Sequence, residues 1–102
     1  MASTPVLVFA TFRPAPGKEQ ELLDTLAPML ENTRLEPGNE VYDLYSSEDD
    51  GQAIYHLFER YVDADALQAH RDAEYYTAYR ARLGDLLSTP VEVNVLSEID
   101  AR

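Results

Sequence analysis

At 102 residues, with 45% hydrophobic and 26% charged side chains, the chain closes one core and falls short of two. Nineteen acidic against eight basic residues leave a net charge of −11, which argues against nucleic acid and anionic membrane surfaces as partners. With no cysteine there is no disulfide, iron–sulfur cluster or thiolate zinc, and no stretch nears the roughly 20 apolar residues of a membrane helix.

Met1-Ala2-Ser3-Thr4-Pro5 has no basic start, and the apolar run from Val6 to Ala10 is too short for a secretion signal. The expectation is a cytoplasmic protein. Val6–Phe12 is rich in β-branched and aromatic residues and stops at Pro14-Ala15-Pro16-Gly17, as a strand would. Its alternate faces are both apolar, with Val6, Val8, Ala10 and Phe12 on one and Leu7 and Phe9 on the other. In so small a protein the second face needs a cover, and a second subunit is the simplest one.

From Lys18 to about Leu35, Leu22, Leu23, Leu26, Leu30 and Thr33 form one helical stripe. Pro28 lies inside the stripe, so the helix is expected to bend there and continue. Glu36-Pro37-Gly38-Asn39 then ends it. Val41–Ser46 and Ala53–Tyr61 read as two strands of a hairpin, joined by the polar turn Ser47–Gln52. Asp63 can cap a short helix through His70, and Asp72 a second helix from Ala73 to Leu87 with Tyr76, Tyr79, Leu83 and Leu86 inside. Val91–Leu96 alternates as a final, half-buried strand. The order β-α-β-β-α-β is the ferredoxin-like split unit, an α+β fold, and residues 1–102 form a single domain.

His70 is the helix-borne side chain whose ordinary pKa suits acid–base work at neutral pH. Glu59 ends the third strand, and the turn between them brings its carboxylate within reach of the imidazole. The pair serves either to tie strand to helix or to line a pocket. His56 alternates with Ile54 and Phe58 and reads as an interface residue. The two histidines lack metal-ligand spacing, so no metal is expected. Of seven tyrosines, Tyr42, Tyr75, Tyr76 and Tyr79 lie on elements that flank the expected pocket, where aromatic walls with polar tips suit a flat phenolic ligand. Arg34 either neutralises helix-terminal carbonyls or pairs with Glu36, with a substrate-oxygen contact as a secondary role.

Two runs, Thr33-Arg34-Leu35-Glu36-Pro37-Gly38-Asn39 followed by Tyr42, and Glu59…Asp63…Ala66-Leu67…His70, make the chain resemble the antibiotic biosynthesis monooxygenase family. The resemblance spans Val6 to about Leu96. It implies a four-stranded antiparallel sheet with helices on one face, and a homodimer that joins two such sheets into an α+β barrel. It also implies oxidation of a phenolic or quinol-type aromatic small molecule by O2 without a cofactor. His70 would then act as base or hydrogen-bond donor and Glu59 would orient it, while Phe9, Tyr42, Tyr75, Tyr76, Tyr79 and Arg34 contact the substrate. Tyr61 stands where the family often has tryptophan, and Tyr79-Arg80-Ala81 lacks the histidine that holds haem in a related branch. A dimeric binding module for a small aromatic ligand, or a proton-transfer isomerase or cyclase of the same superfamily, are the competing readings.

Overall fold

The computed structural model describes residues 4–101; Met1-Ala2-Ser3, the start of the stretch read above for a signal, lies outside them. Seven elements follow in chain order: β1 (Val6–Phe12), α1 (Glu19–Thr33), β2 (Asn39–Asp49), β3 (Gln52–Tyr61), α2 (Ala64–Asp72), α3 (Glu74–Leu83) and β4 (Glu92–Leu96). The strands form one antiparallel sheet in the order β2-β3-β1-β4. This is the ferredoxin-like α+β arrangement, with the second helical segment divided into α2 and α3.

Register decides what faces the core. Val8 pairs with Glu59, Ala10 with Leu57 and Phe12 with Tyr55, while Tyr42 and Leu44 on β2 pair with Glu59 and Leu57. Because strand side chains alternate, these residues share one face. On that face Ala10, Phe12, Tyr42, Tyr55 and Leu57 pack with Leu22, Leu26 and Met29 of α1 and Tyr79 and Leu83 of α3. A smaller cluster joins Val8 and Tyr61 to Leu67 of α2. The opposite face carries Leu7, Phe9, Ile54, His56 and Phe58, and none of these belongs to either core cluster.

Helix α1 runs unbroken through Pro28. Its buried stripe is Leu22, Thr25, Leu26, Met29 and Thr33, rotated slightly from the leucine stripe because Leu23 and Leu30 sit at its margin. Asp63 caps α2 as expected, its side chain accepting from the Ala66 N–H at 2.8 Å. Asp72 does not cap α3. It is the last residue of α2, and Ala73 stands at the α3 N-cap without a side-chain bond. The hairpin turn is tighter than the six polar residues suggested: Asp49 pairs with Gln52, leaving Asp50 and Gly51, both at positive φ, as a two-residue loop. Strand β4 is exposed throughout, not half-buried. It is an edge strand, and Val93 and Val95, which pair with Ala10 and Val8 on the core side, remain 41% and 55% exposed at the margin of the sheet.

Candidate active site

His70 lies near the end of α2 and is 2% exposed. The rings of Tyr76, Tyr61, Tyr42 and Tyr75 surround it at centroid distances of 5.0, 5.4, 5.8 and 6.4 Å. Its Nδ1 is 2.9 Å from Glu36 Oε2. Since a carboxylate only accepts, Nδ1–H donates and the lone pair of the neutral ring falls on Nε2. Nε2 has no hydrogen-bond partner among the described residues. A histidine used as a core strut would have both nitrogens engaged. This one keeps a free basic nitrogen in a wall of tyrosines.

Glu36 reaches His70 because of how its loop is built. Backbone bonds from Glu36 N–H to the Thr33 carbonyl (2.9 Å) and from Asn39 N–H to the Glu36 carbonyl (3.1 Å) fold the loop tightly. The Val62 N–H then donates to the Gly38 carbonyl at 2.9 Å, fastening the loop to the end of β3. Asn39 Nδ2 donates to the Val41 carbonyl at 2.9 Å across the irregular register at the start of β2. The Glu-Pro-Gly-Asn run thus ends a helix and delivers a carboxylate.

Glu59 does not orient His70. Its Oε1 accepts the Tyr61 hydroxyl at 2.6 Å, and the imidazole is engaged by Glu36 instead. Burial pushes the Glu59 carboxyl up to about 7, against the lowering effect of the Tyr61 hydrogen bond and of nearby Arg71. The hydroxyls of Tyr42, Tyr61 and Tyr79 are pushed well above the usual phenol range, chiefly by burial and then by the Glu59 charge.

His70, Glu59, Tyr42, Tyr76 and Tyr79 line a common cavity of about 20 Å³, together with Leu67, Arg71, Arg80 and Val93. That is room for roughly one water. A wider cleft of about 460 Å³ runs between the end of α3 and the Leu87–Val91 segment, and Arg80 borders both spaces. Tyr75 does not line the inner cavity; it borders a separate groove with Glu36, Gly38 and Ala66.

Two expected contacts fall elsewhere. Phe9 is on the opposite face of the sheet, stacked on His56 at 5.4 Å and 18°, because it is out of phase with Val8 and Ala10. Arg34 is spent on β2, its Nε donating to the Tyr42 carbonyl at 3.0 Å and its Nη2 to Asp43 at 3.4 Å. It meets neither Glu36 nor the cavity. Sequence reasoning missed Glu36, Arg71 and Arg80. Glu36 stood inside a run already singled out, while the arginines gave no signal until two helices were placed. Among the described residues no group of three or more His, Asp or Glu side chains converges as a metal site would, and no helix is long and apolar enough to cross a membrane.

Comparison with known proteins bears on the fold and the family. The profile of the antibiotic biosynthesis monooxygenase family matches residues 5–82. The Mycobacterium tuberculosis protein named "Putative monooxygenase Rv0793" is 44% identical over 98 residues, covering 96% of this chain and 95% of its own. Its solved structure superposes with a TM-score of 0.89 over 96% of this chain and 98% of that one. The structure of PA3566 from Pseudomonas aeruginosa is 27% identical, with a TM-score of 0.86 over 98% and 99% of the two chains. With the fold, the two sequence runs and these relatives in agreement, the chain belongs to the antibiotic biosynthesis monooxygenase family.

Proposed function

We propose that this protein is a cofactor-independent monooxygenase that oxidises a phenolic or quinol-type ring with O2, working as a homodimer. The observation that carries the reading is the His70 arrangement, in which Nδ1–H is held by Glu36 and Nε2 is free beside a cavity walled by tyrosines. Nε2 takes the proton of a ring hydroxyl, and Glu36 steadies the imidazolium that forms. The resulting phenolate is electron-rich enough to reduce O2 itself. At a ring CH carbon ortho or para to that phenolate, one oxygen atom becomes the new quinone carbonyl and the other leaves as water with that carbon's hydrogen and the hydroxyl proton. The substrate supplies all four electrons, so no external reductant enters.

The inner cavity admits only the reacting edge of such a ring. The body of the ring lies in the wider cleft, passing Arg80 and the uncovered side of β4. Tyr42 and Tyr79, whose hydroxyls burial keeps protonated, offer them to the ring oxygens, with Tyr76 beside them in the wall. A second copy against the open sheet face, with Leu7, Phe9 and Phe58 at its centre, completes the dimer.

Oxygen uptake with a panel of quinols and phenols tests this. His70→Ala is expected to lower turnover by about 10²–10⁴-fold, the usual worth of a positioned base, while ring binding persists. Equal rates in parent and variant remove His70 from the mechanism. A parent that binds these rings but consumes no oxygen is a binding module instead.

A further inference from the structure

We propose that the ligand of this site carries a negative charge, as an acid group on its ring, and that Arg71 and Arg80 receive that group. The inference rests on the reading above for the ring and adds the charge. Arg13, Lys18, Arg34 and Arg60 each lie within 4 Å of a carboxylate. Among the described residues Arg71, Arg80 and Arg82 have no such partner. In a chain with nineteen acidic side chains, an arginine left without one calls for a physical reason.

Arg82 has one nearby, since it shares a surface groove with Glu21, Asp24 and Asp85 and is bathed in negative charge at longer range. Arg71 and Arg80 are placed otherwise: Arg71 feels the Glu59 carboxyl only at longer range, and neither guanidinium shares a groove with a cluster of acidic side chains. They come from different helices, α2 and α3, and converge on the cavity that holds His70. Arg80 also borders the wider cleft, so it stands where a bound ring would cross from one space to the other.

Two carboxylates are close, and both are engaged. Glu36 accepts from His70, and Glu59 accepts from Tyr61. Neither carboxylate lies within 4 Å of a guanidinium, so among the described residues Arg71 and Arg80 stand beside the cavity without a direct ion-pair partner, on a molecule whose overall charge is −11. A neutral quinol filling the space would cover part of half-buried Arg71 and of Arg80 and return no charge to them, a partial desolvation left uncompensated. A carboxylate matches the planar guanidinium fork and offsets that loss. The arginines would also set orientation, holding the acid end toward the cleft and the hydroxyl end toward His70.

Calorimetric titration of the full chain without oxygen, using three probes, separates charge from ring. The probes are 3,4-dihydroxybenzoate, its neutral amide 3,4-dihydroxybenzamide, and cyclohexanecarboxylate, an acid with no aromatic ring. The acid is expected to bind at least about 10-fold more tightly than the amide, with Arg80→Gln and Arg71→Gln each removing most of that preference and leaving the amide within about twofold. Arg82→Gln should change neither. Equal affinities for acid and amide overturn the charge inference and leave the aromatic reading intact, as does an equal loss of both probes in Arg80→Gln. Cyclohexanecarboxylate binding as tightly as the aromatic acid, with the same arginine dependence, upholds the charge and overturns the ring. No binding of any probe overturns both. Arg80 is exposed, so Arg80→Gln should keep the parent melting curve. If Arg71→Gln fails to fold, Arg80→Gln and the parent's acid–amide contrast decide.

Discussion

Gly38 and Ala66 meet where the loop after α1 crosses the first turn of α2, and no carbon can be added to Gly38 without striking the Ala66 methyl group. Gly38 is not at positive φ, so space and not backbone conformation selects glycine there. Glu36 sits two residues before this contact and His70 one turn after it. The closeness of loop and helix is therefore what sets the Glu36–His70 hydrogen bond.

Gly38→Ala is expected to destabilise the fold by about 1–3 kcal/mol, the usual cost of overpacking, and to slow turnover by moving Glu36 off His70. Adding Ala66→Gly should recover part of both losses. Urea melts of the parent, single and double variants measure the coupling. Simple additivity would show that the two residues do not constrain each other.

Much of this fold was legible because it depends on local signals. The β1 and β3 runs, the Asp63 cap and the helix through Pro28 each follow from residues within a few positions of one another. The site was legible only in part. His70 stood out by residue type, but Glu36, its partner, lies 34 residues away inside a run that reads as a helix stop. Glu59 was the nearer carboxylate in sequence, and Tyr61, two residues on, claims it. Phe9 was misplaced because a strand apolar on both faces does not say which face meets the helices. The edge position of β4, which leaves Val93 and Val95 exposed, is set by strand order and not by alternation within the strand.

Glu59 should make stability fall with rising pH. Its carboxyl is raised from 4.5 to about 7, so between those values the folded protein holds a proton that the unfolded chain has released. Below that window both states are protonated and above it both are ionised, so the loss is complete near pH 7 and then level. The raised carboxyl corresponds to a loss of about 3 kcal/mol at most. Glu59→Gln keeps an acceptor for Tyr61 and cannot ionise. It should be more stable than the parent at pH 8 and match it near pH 4, as read from melts across pH. Parallel profiles for both proteins would mean that water or a counter-charge already relieves the carboxylate.

Pro28 is exposed, and its ring denies the Asp24 carbonyl a helical hydrogen bond. Pro28→Ala should restore that bond without filling or opening any core space. An increase of about 1 kcal/mol in unfolding free energy is expected, the helix-interior penalty of proline being partly offset by its stiffening of the unfolded chain. A clear destabilisation would show that α1 relies on the proline to lay Leu22, Leu26 and Met29 on the sheet.

Phe58 occupies the open face opposite Asp43 and Phe9, away from the His70 cavity. If two copies join there, the parent sediments as a dimer at micromolar concentration and Phe58→Arg shifts it toward monomer with its circular dichroism unchanged. An interface of this class buries on the order of 1,600 Å², so one central arginine should suffice. A parent that sediments as a monomer removes the dimer from the functional reading.

The two-residue loop Asp50-Gly51 fixes the parity of the longest pairing in the sheet. One residue more between Asp49 and Gln52, absorbed by sliding β2 along β3, would exchange every β2 side chain between faces. Tyr42 and Leu44 would leave the core, Asp43 would enter it beside Glu59, and Val41 and Tyr45 would lose their places on the open side. The cavity wall and the open sheet face are thus written on one strand in alternating positions. A length change at this tip is expected to disturb both at once, whereas a length change in the loop before β4 would spare the β2–β3 alignment.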